Sequence, residues 1–228
     1  MKRYRTPADL PRRIAVFPLA RVILLPHARL PLTIFEPRYL AMVEDALGGT
    51  RLIGIIQPEQ ERSESDAPDE RAPPLQKVGC VGRISSFVES DKGKMLISLT
   101  GLCRFGVVRE LPQRNAWRQV EAEYAAWADD LTPPTESFSD GPVPRREFLD
   151  VLRRYLERNQ MQANWEYVNK SSNEVLIDSS CMMSPYGIRE KQALLEAKTT
   201  AARAELLVAM TEMLLAQSGG GEENTDVQ

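Results

Sequence analysis

The sequence predicts an α+β protein: a β pseudo-barrel with one internal helix, followed by a C-terminal helical bundle. Short apolar runs broken by Gly and Pro fill residues 14–127, as is typical of a small barrel. From residue 148 to residue 214, apolar residues recur at helical spacing. A stretch rich in Pro and Ser lies between them. We therefore expect a barrel domain over 1–128, a linker over 129–145, a helical domain over 146–217 and a disordered acidic tail over 218–228.

The predicted strands begin with two short apolar runs, 14–17 and 22–25, each followed by a proline. In the next strand, Leu30, Leu32 and Ile34 alternate with polar or small positions, and Pro31 places that strand at an edge or a bulge. Further strands are predicted over 52–56, 77–88, 94–100, 102–111 and 118–127, with a hairpin turn at 91–93.

The internal helix is predicted to begin at Glu36-Pro37, since proline fits the first helical position, where its missing N–H costs nothing. Gly48-Gly49 ends it. After the following strand, residues 57–74 are acidic and rich in proline, and this composition predicts a mobile loop.

The second half contains helix signals separated by caps. An apolar stripe through Phe148, Leu152 and Leu156 predicts the first helix, and a capping-box pattern at 171–174 opens the second. Ser184-Pro185 predicts a further helix start, and Thr199-Thr200 divides the remaining apolar pattern into two helices.

The composition excludes several classes of function. The chain has 29 Lys+Arg against 32 Asp+Glu, a net charge of −3, so bulk attraction to nucleic acid is absent. With one histidine and three scattered cysteines, neither a zinc cage nor a disulfide framework is indicated. We expect no metal, no cofactor and no membrane attachment, and a cytoplasmic location.

No catalytic constellation is present in the sequence. Residues 101–106 have the glycine spacing of a phosphate loop, but Val107 and Val108 replace its Lys and Ser/Thr. Cys103 is interpreted as a buried structural thiol. The acidic pair Asp129-Asp130, like the other acidic pairs, is predicted to be solvated. The arginines of residues 145–158 are predicted to form a polar helix face.

One stretch is dense in specific residues: residues 17–39 read FPLARVILLPHARLPLTIFEPRY. It resembles the N-terminal, substrate-binding domain of the ATP-dependent Lon protease family, whose pattern is FPL, a V-L-x-P turn and LPL-x-IFEPRY. His27 stands where that family usually has glycine. Three later stretches match in order: residues 78–84, residues 99–105 (LTGLCRF) and residues 190–196 (EKQALLE).

The resemblance implies a PUA-like β pseudo-barrel with a helical bundle after it, and a role in substrate binding. It covers residues 12–216. Full Lon proteases also carry an AAA+ ATPase module and a Ser–Lys peptidase domain. We find no Walker motif and no Ser–Lys dyad here, so we expect a protein without catalytic residues of its own.

The leading hypothesis is a polypeptide-binding module that holds unfolded or extended segments, as an adaptor or a holdase working with a separate protease or chaperone. Strand addition at an open barrel edge and side-chain pockets are both open as the mode of binding. The candidate binding residues come from the dense stretch: Pro26, His27, Phe35, Glu36, Arg38 and Tyr39.

The alternative is an RNA-binding module, because PUA-like barrels also occur in RNA-binding proteins. The net charge of −3 and the lack of a basic, aromatic face count against nucleic acid as a partner.

Overall fold

The structure is a computed structural model that describes residues 4–61, 72–90, 93–132 and 145–217. Its internal contacts divide the chain into two compact units. Unit 1 is Met1–Pro134 with Ser184–Leu195, and unit 2 is Thr135–Met183 with Glu196–Gln228. The residues predicted as acidic tail, and most of those predicted as mobile loop and linker, lie outside the described ranges.

Unit 1 is built on a six-stranded sheet. Its strands are β1 (Arg13–Pro18), β2 (Arg29–Ile34), β3 (Leu52–Pro58), β4 (Leu75–Ser90), β5 (Lys94–Glu110) and β6 (Arg118–Glu123). The order is β2-β5-β4-β3-β1-β6, and β6 also pairs with β5. This second pairing closes β1, β3, β4, β5 and β6 into a ring, while β2 lies outside it along the first half of β5.

Strand β2 is an edge strand, as Pro31 predicts. Gly101 N–H donates to the Ala28 carbonyl at 2.9 Å, which makes that pair a hydrogen-bonded one. Hydrogen-bonded pairs alternate along an antiparallel ladder. Arg29, Pro31 and Thr33 therefore direct their backbone groups away from β5, and the N–H that proline lacks is not needed by the ladder.

The predicted strand over 22–25 is wrong. Residues 22–25 form an irregular segment, yet Ile23, Leu24 and Leu25 are fully buried. A Cβ on Gly101 would lie 2.0 Å from the Leu25 carbonyl oxygen, and a Cβ on Gly82 would lie 2.6 Å from Leu24. The segment therefore packs directly on the backbone of β4 and β5, which only glycine permits.

Helix α1 (Pro37–Gly48) begins and ends where the sequence predicts, with Gly49 as its C-cap. Its buried face consists of Tyr39, Met42, Val43 and Ala46. The N-cap residue Glu36 makes no side-chain cap hydrogen bond. Its carboxylate accepts from the Arg38 guanidinium instead, at 2.7 Å.

Strands β4 and β5 are longer than predicted. The strands expected over 94–100 and 102–111 are one continuous strand, because bulges in the pairing between Val81 and Gly82 and between Ile84 and Ser86 absorb the bend. The last predicted strand is too long: Ala125–Leu131, which contains Trp127, forms a 3-10 segment.

Helix α5 (Ile188–Glu196) lies for most of its length in unit 1. Its Gln192 side chain donates to the Val78 carbonyl of β4 and accepts from Gln57 of β3, each at 3.1 Å. The helix starts at Ile188 rather than at the predicted Ser184-Pro185. The sequence places this helix in the helical domain, and those domain boundaries stay a prediction. The contacts of Gln192 group the helix with the sheet.

Unit 2 contains helices α2 (Arg145–Arg158), α3 (Trp165–Lys170), α4 (Asn173–Met183) and α6 (Thr200–Gln217). Helices α2 and α4 pack against α6. The sequence missed α3, a six-residue helix with few apolar positions. Thr199 caps α6 as predicted, since its hydroxyl accepts from Ala202 N–H. A buried ion pair, Arg203 with Asp178, joins α6 to α4.

The predicted fold class is confirmed: the chain combines a closed β structure, one internal helix and a set of C-terminal helices. None of the helices in the described ranges combines the length and the hydropathy that crossing a membrane requires.

Candidate functional site

Cys103 lacks the properties of a nucleophile. It is fully buried, and its thiol donates to the Trp127 carbonyl at 3.2 Å. Burial, and next the nearby Asp130 carboxylate, raise the pKa of Cys103 to about 12. The thiol is therefore protonated at neutral pH and cannot attack a substrate. Across the described ranges, no group of three or more His, Cys, Asp or Glu residues is placed to hold a metal ion.

Asp130 corrects the expectation that the acidic pairs are solvated. Its side chain is only 8% exposed and forms a two-pronged ion pair with Arg104, which is 5% exposed. The guanidinium also donates to the Leu195 carbonyl and lies 4.0 Å from the centre of the Trp127 ring. Arg104 thus ties β5 to the 3-10 segment and to the end of α5, a structural role.

The predicted binding residues fall into two separate groups. Pro26 is buried, and His27 is exposed with φ at 63°, a left-handed conformation. The His27 N–H donates to the Gly101 carbonyl at 3.0 Å, so both residues lie at the start of β2. The other four predicted residues follow the end of β2. Six strand residues at about 3.3 Å each place the two groups roughly 20 Å apart.

The second group joins β2 to α1. Phe35 is 62% exposed and faces the Lys94 ammonium, 6.0 Å from its ring centre. Arg38 is paired with Glu36 at 2.7 Å. It also lies 4.6 Å from the centre of the Tyr39 ring, whose other neighbour is Phe17, at 4.1 Å. Burial raises the pKa of Tyr39, so its hydroxyl is protonated at neutral pH.

The sequence analysis missed two apolar residues beside Phe35. Leu96 on β5 is 50% exposed and Val88 on β4 is 62% exposed. The two are directly opposed in the β4–β5 pairing, and Leu96 is also opposed to Thr33 of β2. Residues opposed across a sheet share a face. Phe35 follows the last residue of β2, and its ring lies beside the Lys94 ammonium at the start of β5. We call Phe35, Thr33, Leu96 and Val88 the outer face.

The signal for the outer face was present in the sequence. Met95, Ile97 and Leu99 alternate along the sequence and therefore lie on one face of β5, and all three are buried. Leu96 lies between Met95 and Ile97 and therefore points to the other, exposed face of the strand. Apolar residues that cluster at exposed positions indicate a contact surface. The pairing of Leu96 with Val88 needed the register, which the sequence does not supply.

Arg38 and Tyr39 also line a cavity of about 600 Å³. The segment between β5 and β6 forms its opposite wall with Pro112 and Trp117, and Glu110 and Arg118 line its edge. None of these four residues was singled out in the sequence analysis.

The arginines of α2 are largely engaged inside unit 2. Arg145 donates to the Asn173 side chain at 2.6 Å and to three backbone carbonyls. Arg154 pairs with Glu212, and Arg158 donates to the Leu215 carbonyl at 3.0 Å. These contacts fit the predicted polar helix face.

Comparison with known protein families agrees with this geometry. The model of the ATP-dependent protease La (LON) substrate-binding domain matches residues 13–212. The chain belongs to this family. The sheet, α1, α4 and α5 of this LON substrate-binding domain fall inside the match, as does α6 up to residue 212.

The curated relatives include Lon proteases. Lon protease 2 of Myxococcus xanthus is 27% identical over 208 residues, which is 88% of this chain and 23% of that protein. Lon protease of Flavobacterium johnsoniae is 27% identical over 193 residues, 82% of this chain and 22% of that protein. The LON-domain chain thus spans about a quarter of the length of these relatives.

Two solved structures share the fold. The Lon N-terminal domain protein from Xanthomonas campestris superposes with a TM-score of 0.55 and 22% identity, covering 86% of this chain and 97% of that one. The N-terminal domain of the Mycobacterium avium complex Lon protease gives 0.60 and 19%, covering 88% and 98%. These similarities confirm the Lon N-terminal fold for this chain.

Proposed function

We propose that this protein binds unfolded or extended polypeptide segments on the outer face, without catalysing a reaction on them. The observation that carries the proposal is the exposure of Phe35, Val88 and Leu96, at 62%, 62% and 50%, just after β2 and on the adjacent strands β4 and β5. Burying such side chains against a partner contributes about 25 cal/mol for each Å² of apolar surface. The family's description as a substrate-binding domain supports the same assignment.

The backbone of β2 favours side-chain docking over strand addition. A segment that added to the free edge of β2 would meet the outward backbone groups of Arg29, Pro31 and Thr33. Pro31 has no N–H to donate, and its ring interrupts the row of donors, a common protection of edge strands. The partner therefore lies across the outer face and is held by its apolar side chains.

The outer face is expected to bind polypeptide segments of many different sequences, each with modest affinity. Its contacts are apolar and do not read a particular side chain, apart from the Lys94 ammonium beside Phe35. An unfolded segment also loses conformational entropy when it is held, which reduces the affinity. This profile fits an adaptor or holdase that passes a bound segment to a separate protease or chaperone.

The test is a titration of a fluorescently labelled unfolded casein with the full chain, followed by anisotropy. We expect Phe35→Ser and Leu96→Ser each to weaken binding by about five- to tenfold, the loss typical of an interface anchor. The matched control is Val108→Ser, because Val108 is 55% exposed on β5 but lies beyond the outer face. We expect that variant to bind as the wild type does.

A labelled structured RNA, titrated in parallel at low and moderate salt, separates the alternative. Polypeptide binding that tolerates salt and is lost in the Phe35 and Leu96 variants supports the proposal. RNA binding that falls steeply with salt, without saturable polypeptide binding, would replace it with the RNA-binding function.

A further inference from the structure

The cavity beside Arg38 has both apolar and polar walls. Its volume of about 600 Å³ is in the range of small-molecule sites. The Tyr39 ring, Pro112 and Trp117 supply apolar walls, and the polar side chains of Arg38, Glu110, Gln113 and Arg118 line much of the rest. Tyr39 contacts Phe17, and Trp117 is only 9% exposed, so an apolar side chain that enters would lie against two rings that pack on the rest of the fold.

The charges at the cavity cancel in pairs. Arg118 donates to both carboxylate oxygens of Glu110, at 2.6 and 2.7 Å, and to the Pro73 carbonyl at 2.8 Å. Arg38 donates through Nε and Nη2 to one oxygen of Glu36, at 2.9 and 2.7 Å. With each arginine paired to a glutamate, the cavity offers no net positive charge to attract an anion.

One polar group at the cavity wall is left without a partner. The Trp117 indole N–H is buried and finds no acceptor among the described residues. A buried donor without an acceptor costs free energy that a suitable ligand recovers. Because the surrounding charges cancel, the matching acceptor is a neutral carbonyl rather than a carboxylate.

We propose that the cavity takes one apolar side chain of a bound polypeptide, whose neighbouring main-chain carbonyl accepts a hydrogen bond from the Trp117 indole. This inference rests on the proposed polypeptide binding and extends it. Arg38 and Tyr39, which line the cavity, lie three and four residues after Phe35 in the chain. Three residues span at most about 11 Å, so one bound segment can contact both Phe35 and the cavity. Because the Trp117 N–H is buried, this hydrogen bond requires the wall side chains to shift when the polypeptide binds.

The experiment follows the indole N–H signals of the ¹⁵N-labelled full chain by NMR. The chain has three tryptophans, and Trp→Phe variants assign their three signals. The probes are N-acetyl-phenylalaninamide, N-acetyl-glycinamide, which lacks the apolar side chain, and N-acetyl-phenylalanine, which carries a carboxylate. We expect the Trp117 signal to move saturably with the first probe, and the Trp165 signal to stay in place.

Two variants test the two halves of the contact. Trp117→Phe keeps an aromatic wall but removes the donor and its indole signal, so binding is followed on the backbone amide signals of the cavity residues. We expect about tenfold weaker binding of N-acetyl-phenylalaninamide, as for the loss of one hydrogen bond. Since a buried substitution can disturb folding, Ala116→Trp is a second variant. Ala116 is exposed at the rim of the cavity, and a large ring there should block entry without loss of the fold.

The outcomes separate this inference from the proposed function. Phe35→Ser should lose polypeptide affinity yet keep the Trp117 response to N-acetyl-phenylalaninamide. A Trp117 signal that stays fixed while casein saturates the wild type overturns the cavity assignment and leaves the outer face intact. Tighter binding of N-acetyl-phenylalanine than of its amide overturns the choice of a neutral carbonyl.

Discussion

Two arginines of this chain, Arg104 and Arg38, have similar sequence contexts but different structural roles. Arg104 precedes Phe105 and Arg38 precedes Tyr39, and each arginine is paired with one acidic residue and lies over an aromatic ring. The side chain of Arg104 is 5% exposed and that of Arg38 is 49% exposed. Burial, and not the motif, therefore distinguishes the two.

This difference in burial separates the roles of the stretches around Arg104 and Arg38. Arg104 joins three parts of unit 1 through Asp130, Trp127 and the Leu195 carbonyl. Arg38 pairs with Glu36, lies over the Tyr39 ring and borders the cavity. The first stretch holds the fold together, and the second presents a surface.

The largest effect is expected at the buried pair. Arg104→Leu leaves the Asp130 carboxylate buried without its partner, and breaking a buried pair in this way costs about 3–5 kcal/mol. The free energy of unfolding from urea denaturation measures this loss.

The control for that prediction is Arg109→Ala, which removes an exposed arginine from the same strand, 69% exposed and paired with Glu121. We expect that variant to lose less than about 1 kcal/mol. The double variant Arg104→Leu with Asp130→Leu should recover part of the loss. Equal stability of Arg104→Leu and wild type would contradict the structural role of the pair.

An intermediate effect is expected from pH, through the thiol next to Arg104. The folded pKa of Cys103, about 12, lies above the ordinary value of 9.0. The unfolded chain thus loses this proton at lower pH than the folded chain does. The contribution of this thiol to the free energy of unfolding is fully present below about pH 9. It is lost as the pH rises towards about 12, by at most about 1.4 kcal/mol per pH unit.

Urea denaturation at a series of alkaline pH values checks this slope, with Cys103→Ala as the comparison. Tyr124 and Cys80, whose pKa values burial also raises, titrate in both proteins. The Cys103 thiolate raises both of these pKa values further, so the difference between the two slopes reports Cys103 together with its coupling to Tyr124 and Cys80. Identical slopes would mean that the thiol titrates normally and is less buried than the structure indicates.

Local signals in the sequence predicted the elements that depend on local chemistry. Pro37 and Gly49 bound α1, Pro31 marks the edge strand, and Thr199 caps α6. The Lon-type residues 17–39 indicated the family. They also contain Thr33 and Phe35 of the outer face and Arg38 and Tyr39 of the cavity wall.

The misses share a physical cause, which is contact between residues distant in the chain. The segment over 22–25 has the composition of a strand, but its backbone packs on Gly101 instead of pairing. Asp130 has the sequence context of a solvated acid, and only the fold brings it to Arg104. Leu96 and Val88 become one surface through strand register, and Trp117 meets Arg38 and Tyr39 only across the cavity.

The smallest effect is expected at Arg38, and it is the sharpest test of the comparison. Arg38→Ala removes an ion pair with Glu36 in which the two side chains are 49% and 42% exposed. Exposed pairs contribute little and are screened by salt, so we expect a loss of about 0.5 kcal/mol in unfolding free energy that shrinks at high salt. Glu36→Gln should have an effect of similar size. A loss in Arg38→Ala as large as that in Arg104→Leu would mean that both arginines hold the fold, and the surface role of the β2–α1 junction would then have to be abandoned.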